Sequence, residues 1–325
     1  MTIPDVNQFT PITLEIPAKL NLYLHAGALR KDGYHDITMV YQAISLYDTM
    51  TISPAQDPPK FTMTVSGIDS NRIPADSRNL VIKAAQRLAN IAGISSQALH
   101  FDLVKSIPTE AGLGGGSADA AAALVGCNQI WKTGLDNEQL MEIGGQIGED
   151  VPFFIRGLVG IGTGYHQPVI PVDVAAESMR TWHWVLGIMP RGLSTKLVFD
   201  RSDRFISRRI ESGEILSSQC DQLEKCLGVD WGNTPFRLLT PYLDNNLQEV
   251  AEDLDSDIGV ALQMGREAGA IVSLMAGTGT TCLFLAGDEE HAERLADGLS
   301  GKNIFRRVVR AVGPVEGVRL KDQSH

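Results

Sequence analysis

The chain has 325 residues, 43% of them hydrophobic, and its 28 Lys and Arg face 39 Asp and Glu, a formal net charge of −11. This length allows a large core and two domains. The acidic excess argues against non-specific nucleic-acid binding, which needs clustered positive charge. No apolar run reaches the length of a membrane span, and the N-terminus lacks the pattern of a secretion signal. We therefore expect a cytoplasmic protein with no membrane or nucleic-acid partner; the oligomeric state is left open.

The cysteines and histidines form no metal-binding pattern. Cys127, Cys220, Cys226 and Cys282 are scattered without a C-x-x-C pair, and none of the seven histidines belongs to an H-E-x-x-H motif. We interpret the cysteines as reduced thiols, and zinc catalysis has no support.

Extended and helical patterns alternate irregularly in the first part of the chain. Apolar alternation and β-branched residues predict strands over 12–16, 20–24, 37–52, 61–65 and 99–104. Helical spacing predicts helices over 79–92, 117–130 and 136–147, the last with Asp136 as its N-cap.

The second part of the chain also mixes the two patterns. Strands are predicted over 182–189, 271–275, 281–285 and 304–312, and helices within 202–231 and over 257–267 and 289–299. Because strict βαβ alternation is absent, the pattern favours an α+β protein over a doubly wound sheet. We place the domain boundary after Asp173, which gives domains 1–173 and 174–325.

A glycine-rich segment between a predicted strand and a predicted helix is the strongest functional signal. It consists of Pro108, Thr109, Glu110, Ala111, Gly112, Leu113, Gly114, Gly115, Gly116, Ser117 and Ala118. Glycine lets a ligand approach the backbone closely, and the N-terminus of a helix favours an anion. The segment therefore indicates a phosphate-binding loop, in which we expect Gly115 to stay free of a side chain. The structural alternative is a tight strand–helix corner without a ligand.

The loop has neither of the two common nucleotide-binding fingerprints. The only Gly-Lys pair, Gly301-Lys302, is followed by Asn303, so G-x-x-x-x-G-K-[ST] is missing. Ser117 stands three residues after Gly114, where G-x-G-x-x-G requires glycine. A P-loop NTPase and a Rossmann dehydrogenase therefore lack support.

The loop resembles the phosphate-binding signature of the GHMP kinases, the superfamily of galacto-, homoserine, mevalonate and phosphomevalonate kinases. Further segments that resemble this superfamily follow its order, at 17–35, 148–154 and 275–282. Within the first of them, the K-x-N and D-G-Y-H patterns are similar to those of kinases that act on 4-diphosphocytidyl-2-C-methyl-D-erythritol. The resemblance covers nearly the whole chain.

The resemblance implies a two-domain GHMP kinase fold of the α+β class. Residues 1–173 would form an ATP-binding domain like the second domain of ribosomal protein S5, and 174–325 a C-terminal GHMP kinase domain that contributes to the substrate site. The implied reaction is ATP-dependent phosphorylation of the 2-hydroxyl of a small-molecule substrate, 4-diphosphocytidyl-2-C-methyl-D-erythritol, in the non-mevalonate pathway to isoprenoid precursors. We expect Mg²⁺ because the phosphate charge of ATP needs neutralising, and we assign no ligands to it.

Lys19 and Asp150 fall at the family's catalytic positions. Phosphoryl transfer to an alcohol needs an acceptor for the hydroxyl proton and positive charge near the developing negative charge. A carboxylate can take the proton, and a nearby lysine can keep it ionised and stabilise the transition state. Considered singly, Lys19 would be a solvated strand residue and Asp150 a helix N-cap; the resemblance assigns both to catalysis.

The resemblance also implies four substrate-binding residues, Asn21, Tyr34, His35 and Phe199. In the family the tyrosine stacks on the cytosine ring and the histidine hydrogen-bonds the base. Phe199 aligns with a second aromatic of that clamp, and Asn21 with a contact to the substrate diol or phosphate. The alternatives are a turn aromatic for Tyr34, an exposed imidazole for His35 and core packing for Phe199.

The sequence departs from the family pattern at two places. Ser117-Ala118 stands where Ser-Ser is commoner, and no glutamate follows Gly164. Two other functions remain open: another GHMP kinase, of the homoserine or mevalonate type, and a non-catalytic binding protein on the same fold. The D-G-Y-H pattern argues against the first, and the retained catalytic pair and intact loop argue against the second.

Overall fold

The computed structural model describes residues 9–55, 61–95, 97–164, 170–171, 180–211, 238 and 240–321. Within these residues the chain forms two sheets with helices packed on them. The α+β class predicted from the sequence is confirmed by this mixture, in which neither sheet has the alternating order of a doubly wound fold.

The larger sheet contains β1 (Ile12–Leu29), β2 (His35–Pro54), β3 (Phe61–Gly67), β4 (Leu99–Lys105), β5 (Val159–Gly164), β6 (Ile170–Pro171), β8 (Asp244–Asn245) and β12 (Arg319–Leu320). The smaller sheet contains β7 (Trp182–Ile188), β9 (Val272–Met275), β10 (Cys282–Ala286) and β11 (Arg307–Gly313). The helices are α1 (Leu80–Ile91), α2 (Gly115–Trp131), α3 (Asn137–Gly145), α4 (Val151–Arg156), α5 (Thr195–Glu211), α6 (Gln248–Leu254), α7 (Ser256–Glu267) and α8 (Glu289–Leu299).

A long antiparallel hairpin of β1 and β2 forms the centre of the larger sheet. The sheet order is β12-β1-β2-β4-β3, with β5 also paired to β2 and β8 to β1. Asn21 lies opposite Tyr41 in this hairpin, and register shifts at 17/18 and 21/23 flank Lys19 and Asn21. Such irregularities redirect side chains locally, and here they occur beside two of the predicted site residues.

The alanine-rich helix α2 packs closely on the larger sheet. Every residue from Ala118 to Leu124 is buried, and a Cβ at Gly126 would overlap the side chain of Ile52. Small side chains allow this close approach, which fixes the N-terminus of α2 against the sheet. Helix α1 lies beside α2 and is capped by Asn79, whose side chain accepts from the backbone N–H of Val81.

The smaller sheet, of order β11-β7-β10-β9, shares a core with the larger one. One hydrophobic cluster contains Leu20 and Ile44 of the larger sheet together with Trp184 and Leu283 of the smaller sheet. Within this interface the indole N–H of Trp184 donates to Oε1 of Gln42 at 2.8 Å. Helices α7 and α8 cover part of the smaller sheet through a separate cluster.

Several elements differ from the sequence prediction; strand β5 and helix α6, for example, were not predicted. The strands predicted at 12–16 and 20–24 form one strand, because the ladder continues past Pro17 through a register shift. Helix α5 begins at Thr195, earlier than the predicted 202–231, of which 212–231 lies outside the described residues. The short helix α4 was not predicted, although its Pro152 is compatible with a first helical turn.

The predicted domain boundary at 173/174 lies outside the described residues. Strands β8 and β12, from the second part of the sequence, both pair with β1. The larger sheet therefore combines strands from both sides of that boundary. In the described part of the chain, no helix combines the length and apolar character needed to cross a membrane.

Candidate active site

The glycine-rich segment connects β4 to α2 and forms the N-terminus of that helix. Gly114, with φ of 74°, is the N-cap, and no side chain caps the helix. A Cβ at Gly112, with φ of 79°, would overlap the carbonyl oxygen of Ala276, and one at Gly114 would crowd the ring of Phe154. The fold itself therefore requires both glycines. The uncapped helix N-terminus offers backbone N–H groups to an anion.

The next two glycines have different surroundings. A Cβ at Gly115 would lie 3.1 Å from Nζ of Lys105 and from Cγ2 of Ile107, whereas a Cβ at Gly116 would meet nothing within 4 Å. Protein atoms thus restrict Gly115, while Gly116 faces open space. Gly116 is the position at which a side chain would intrude on a ligand without first colliding with the protein.

A pocket of about 430 Å³ lies in front of the loop. Residues 108–117 of the predicted segment line it, whereas Ala118 is buried in α2. The opposite wall is formed by Ile73, Pro74, Arg78, Asn79 and Leu80. Sequence analysis did not assign this wall to the site, because no motif marks it and only the fold brings the start of α1 to the loop.

A buried cluster of two carboxylates and one ammonium lies beneath the loop and was also missed from the sequence. Nζ of Lys105 donates to Asp48 and, at 2.6 Å, to Oδ2 of Asp119. Oδ1 of Asp48 accepts from the backbone N–H of Ile107 at 2.8 Å, which orders the start of the loop. Burial raises the pKa of Asp119 to about 7, against the opposing attraction of Lys105. Oδ1 of Asp119 has no hydrogen-bond partner, and the residue lines the pocket.

Tyr41 connects the two predicted catalytic residues. Its hydroxyl donates to Oδ1 of Asp150 at 2.7 Å. Nζ of Lys19 lies 4.6 Å from the centroid of the Tyr41 ring and donates to Oδ1 of Asn21 at 2.8 Å. The structure thus brings three predicted residues together around a tyrosine that sequence analysis did not identify, since its strand pattern is that of any core residue.

The electrostatics of this cluster follow from its burial. Burial lowers the pKa of Lys19, and the charge of Asp150 offsets part of this effect. Burial, together with the charge of Asp150, raises the pKa of Tyr41 well above its ordinary value, so the phenol stays protonated and donates. Lys19 is 5% exposed and is not a solvated strand residue. Asp150 occupies the N-cap position of α4 but makes no capping hydrogen bond, so its carboxylate does not serve the helix.

The backbone joins the catalytic cluster to the phosphate-binding loop. The N–H of Lys19 donates to the carbonyl oxygen of Leu113 at 3.1 Å, and a Cβ at Gly114 would lie 3.1 Å from Cγ of Lys19. The Lys19 side chain therefore begins against the glycine loop and ends beside Tyr41. An anion at the helix N-terminus would lie close to the buried ammonium.

The glycine segment at 275–282 encloses the loop from the other side. A Cβ at Gly279 would overlap the backbone of Ala111. The side-chain amide of Asn245 on β8 donates to the carbonyl oxygen of Gly277 at 2.7 Å and to that of Met275. Strand β8 thus fastens this segment to the edge of β1.

Asn21 carries an unused donor at the centre of the cluster. The residue is fully buried, its Oδ1 accepts from Lys19, and its Nδ2 has no hydrogen-bond partner. A buried donor without an acceptor destabilises the folded protein by about 1–3 kcal/mol. An oxygen of a ligand would satisfy it.

The predicted base-binding residues lie at the far end of the β1–β2 hairpin. Tyr34 is 50% exposed at its turn, whereas His35 is 7% exposed. The ring of Phe199, on α5, lies 5.4 Å from the ring of His35 and also packs against a small cluster that includes Leu24. The alternative of an exposed imidazole for His35 is therefore wrong, and Phe199 contacts both His35 and the core.

This fold and site define a GHMP kinase. Family models for the GHMP kinases N terminal domain and the GHMP kinases C terminal match residues 79–158 and 218–304. A homoserine kinase from Cytophaga hutchinsonii has a similar structure, with a TM-score of 0.72 at 16% identity over 97% of this chain and 99% of that one. The structure of a 4-(cytidine 5'-diphospho)-2C-methyl-D-erythritol kinase is also similar, with a TM-score of 0.71 at 24% identity over 93% of this chain and 98% of that one. The predicted two-domain GHMP kinase fold is confirmed.

Comparison with curated relatives narrows the assignment. The 4-diphosphocytidyl-2-C-methyl-D-erythritol kinase of Salinispora tropica is 40% identical over 95% of this chain and 94% of the relative. The kinase of the same name from Nocardia farcinica is 39% identical over 96% of this chain and 97% of the relative. The chain belongs to the 4-diphosphocytidyl-2-C-methyl-D-erythritol kinase family.

Proposed function

We propose that this protein uses ATP to phosphorylate the 2-hydroxyl of 4-diphosphocytidyl-2-C-methyl-D-erythritol, as a cytoplasmic enzyme of the non-mevalonate pathway to isoprenoid precursors. The observation that carries the proposal is the hydrogen bond from the backbone of Lys19 to Leu113, which joins the buried Lys19–Tyr41–Asp150 cluster to the glycine loop. A phosphate donor and an alcohol acceptor would meet at this junction. The identity of about 40% to kinases with this name supports the choice of substrate.

ATP would occupy the pocket in front of the loop. Its phosphates would accept hydrogen bonds from the N-terminal N–H groups of α2, and the side-chain-free surface of Gly116 gives them room. The adenine would lie against the apolar wall of Ile73, Pro74 and Leu80. The remaining loop residues, from Pro108 to Ser117, form the floor beneath the phosphates.

Asp150 would accept the proton of the attacking hydroxyl. Tyr41 holds one carboxylate oxygen in a fixed direction, which orients the base toward the acceptor. The ammonium of Lys19 would stabilise the negative charge that develops on the transferred group, and it acts strongly because the site is buried. The free Nδ2 of Asn21 would donate to an oxygen of the substrate.

Mg²⁺ would accompany the ATP. This ion is usually held by one or two carboxylates together with substrate phosphates, and the described residues contain no group of three potential metal ligands. The unpartnered Oδ1 of Asp119 at the pocket wall fits that requirement. When bound, Mg²⁺ neutralises phosphate charge; Asp119 would be its protein ligand, held in place by Lys105.

The cytosine would bind at the end of the hairpin. The exposed ring of Tyr34 offers one stacking face and Phe199 the other, while His35 would hydrogen-bond the edge of the base. Tyr34 lies on the turn after β1, His35 begins β2 and Phe199 lies on α5. Lys19 lies on β1 in the body of the hairpin, and Asp150 directly precedes α4. The substrate would therefore extend along the hairpin, with its diol near Asn21.

Phosphate transfer from radiolabelled ATP to the cytidine substrate tests this proposal, with mevalonate and homoserine as parallel acceptors. We expect labelled product with the cytidine substrate alone. Transfer to mevalonate or homoserine instead would identify another GHMP kinase, and the absence of transfer to any acceptor, with ATP bound, would favour a binding protein.

A further inference from the structure

The side chain of Asp69 joins three segments that are far apart in the sequence. Its Oδ2 accepts hydrogen bonds from the backbone N–H of Thr109, at 3.2 Å, and from the Thr109 hydroxyl, at 3.3 Å. Its Oδ1 accepts a hydrogen bond from Nη1 of Arg306 at 2.7 Å. The side chain is only 8% exposed, and both of its carboxylate oxygens are committed to these two residues.

The backbone around Asp69 does not use this carboxylate. Asp69 precedes a short 3₁₀ turn, Ser70–Arg72, but its side chain makes no capping hydrogen bond to that turn. Its φ of 55° lies in the left-handed region, which aspartate enters more readily than most residues. Burial acts to raise the pKa of Asp69, but the hydrogen bonds from Arg306 and Thr109 outweigh it and hold the pKa below its ordinary value. The ionised carboxylate therefore acts between segments and not within its own turn.

These hydrogen bonds connect the two walls of the pocket in front of the glycine loop. Thr109 belongs to the loop and lines the pocket. The 3₁₀ turn after Asp69 leads directly into Ile73 and Pro74, which lie on the opposite wall. The N–H of Ile73 donates to the carbonyl oxygen of Ser70, so the turn and the wall move as one piece. The bonds between Asp69 and Thr109 therefore fix the distance between the wall and the loop.

A second link between the same turn and the same loop is more exposed. Arg72, the last residue of the turn, pairs with Glu110, and both side chains are at least half exposed. Water screens such a pair, and it contributes little to a fixed geometry. The buried carboxylate of Asp69 is therefore the link that can hold the two walls at one spacing.

Arg306 attaches this link to the smaller sheet. Its backbone N–H donates to the carbonyl oxygen of Ile188, the last residue of β7, at 2.8 Å. The ring of the preceding residue, Phe305, packs edge-on against the ring of Phe284 on β10 within the core of that sheet. Closely packed cores resist displacement. The guanidinium of Arg306 therefore holds Asp69 from a rigid base.

We propose that Asp69 is a positioning residue for the phosphate donor, which sets the width of the nucleotide pocket by fastening the loop at Thr109 to the wall at Ile73 and Pro74. The adenosine end of ATP would lie between these walls, whereas the phosphates would bind at the N-terminus of α2. Asp69 itself does not line the pocket, so it governs the affinity for ATP and not the chemical step. The inference rests on the proposed function, in which ATP occupies this pocket.

Steady-state kinetics of Asp69→Gly in the full-length enzyme test the inference. Glycine removes the carboxylate and accepts the positive φ without strain. The KM for ATP should rise about tenfold, the scale of one hydrogen bond to a charged group. In contrast, kcat at saturating ATP and the KM for the cytidine substrate should stay within about twofold of wild type. Titration calorimetry should show a matching loss of affinity for ADP, which carries the same adenosine end.

Variants of Arg306 show whether the carboxylate acts through this link. Arg306→Gln should raise the KM for ATP by up to about fivefold, less than Asp69→Gly, because the guanidinium is partly exposed. Arg306→Lys should recover part of this loss. The double variant should bind ATP no worse than Asp69→Gly alone, because both changes act through one carboxylate. Arg310→Gln is the matched control: it breaks a pair with Glu293 elsewhere on the smaller sheet and should leave the KM unchanged.

Asp69→Asn provides a milder form of the same test if Asp69→Gly does not fold. Asparagine keeps the size of the side chain and tolerates the left-handed backbone. Its amide oxygen can still accept from Thr109, but the charge that holds Arg306 is lost. The KM for ATP should therefore rise about as much as in Arg306→Gln, again without a change in kcat.

The outcomes separate this inference from the proposed function. If wild type binds ADP and transfers phosphate, but neither Asp69 variant raises the KM for ATP more than about twofold, the role of Asp69 is overturned alone. A fall in kcat as large as the rise in KM, or an equal rise in the KM for the cytidine substrate, would likewise overturn it, because a general disturbance of the fold affects every parameter. If wild type neither binds ADP nor transfers phosphate, the proposed function fails, and this inference with it.

Discussion

The hydroxyl of Tyr41 donates to Oδ1 of Asp150 across a sequence separation of 109 positions. Burial and the charge of Asp150 both raise the pKa of Tyr41, so the phenol remains a donor throughout the neutral range. The bond gives the proposed base one orientation, and the ring of the same tyrosine lies under the ammonium of Lys19. Tyr41 thus positions both charged groups of the proposed reaction.

Tyr41→Phe should lower kcat about tenfold, the scale of one hydrogen bond to a charged group, because Asp150 loses its orienting donor while the ring under Lys19 remains. The KM for ATP should not change. Tyr47→Phe provides a matched control on the same strand, since the Tyr47 ring contacts Arg319 and not the site. Steady-state kinetics of both variants check the prediction, and equal kcat values for both would refute the positioning role.

Asp150→Asn should lower kcat by roughly 10²–10⁴-fold, the usual contribution of a general base. Titration calorimetry should give a Kd for ATP close to that of wild type, because the carboxylate is not at the phosphate-binding helix terminus. Glu149→Gln removes an exposed neighbouring charge and should retain activity. Retention of most activity in Asp150→Asn would exclude it as the base.

Two glycine variants should separate folding from ligand binding. Gly112→Ala places a Cβ against the carbonyl oxygen of Ala276 at a positive φ, so its Tm should fall by several degrees. Gly116→Ala meets no protein atom within 4 Å; its Tm should stay within about one degree of wild type while the KM for ATP rises about tenfold. Differential scanning fluorimetry with kinetics checks both, and a normal KM in Gly116→Ala would mean that phosphate does not approach there.

Tyr34→Ala should weaken binding of the cytidine substrate by roughly ten- to a hundredfold, since stacking on an aromatic ring contributes about 1–3 kcal/mol per base. ATP binding should be unaffected, because Tyr34 is at the hairpin turn and not at the loop. Phe199→Ala tests the other face of the proposed clamp. An unchanged KM for substrate in Phe199→Ala would assign that ring to the core alone.

The alkaline side of the kcat profile should report Lys19. Its pKa is lowered by burial, so the ammonium loses its proton at a lower pH than the ordinary value of 10.5, and a reaction that needs the positive charge should slow there. In Lys19→Arg the charge persists to higher pH, so the rate should be lower but its alkaline decline should disappear. The same decline in both enzymes would point to another group.

Local signals determined most elements of this protein from the sequence. Asp136 caps α3 through the reciprocal bonds of a capping box with Gln139, and these residues are three apart. The glycine loop between β4 and α2 could also be predicted from the sequence, because glycine content and the switch from strand to helix periodicity are properties of consecutive residues. The motifs around Lys19 and Asp150 indicated the family, because they resemble the family's motifs and follow the same order along the chain.

Only the tertiary structure decided which side chains complete the site. Tyr41 and Asp119 lie on ordinary strand and helix positions, and nothing in their local sequence distinguishes them from core residues. Each acquires its surroundings from a partner brought near by sheet register or helix packing: Asp150 and Lys105, respectively. Hydrogen bonds and charge interactions act over a few ångströms, whereas sequence periodicity defines only the face on which a residue lies. The identity of the partner is therefore fixed only once the chain has folded.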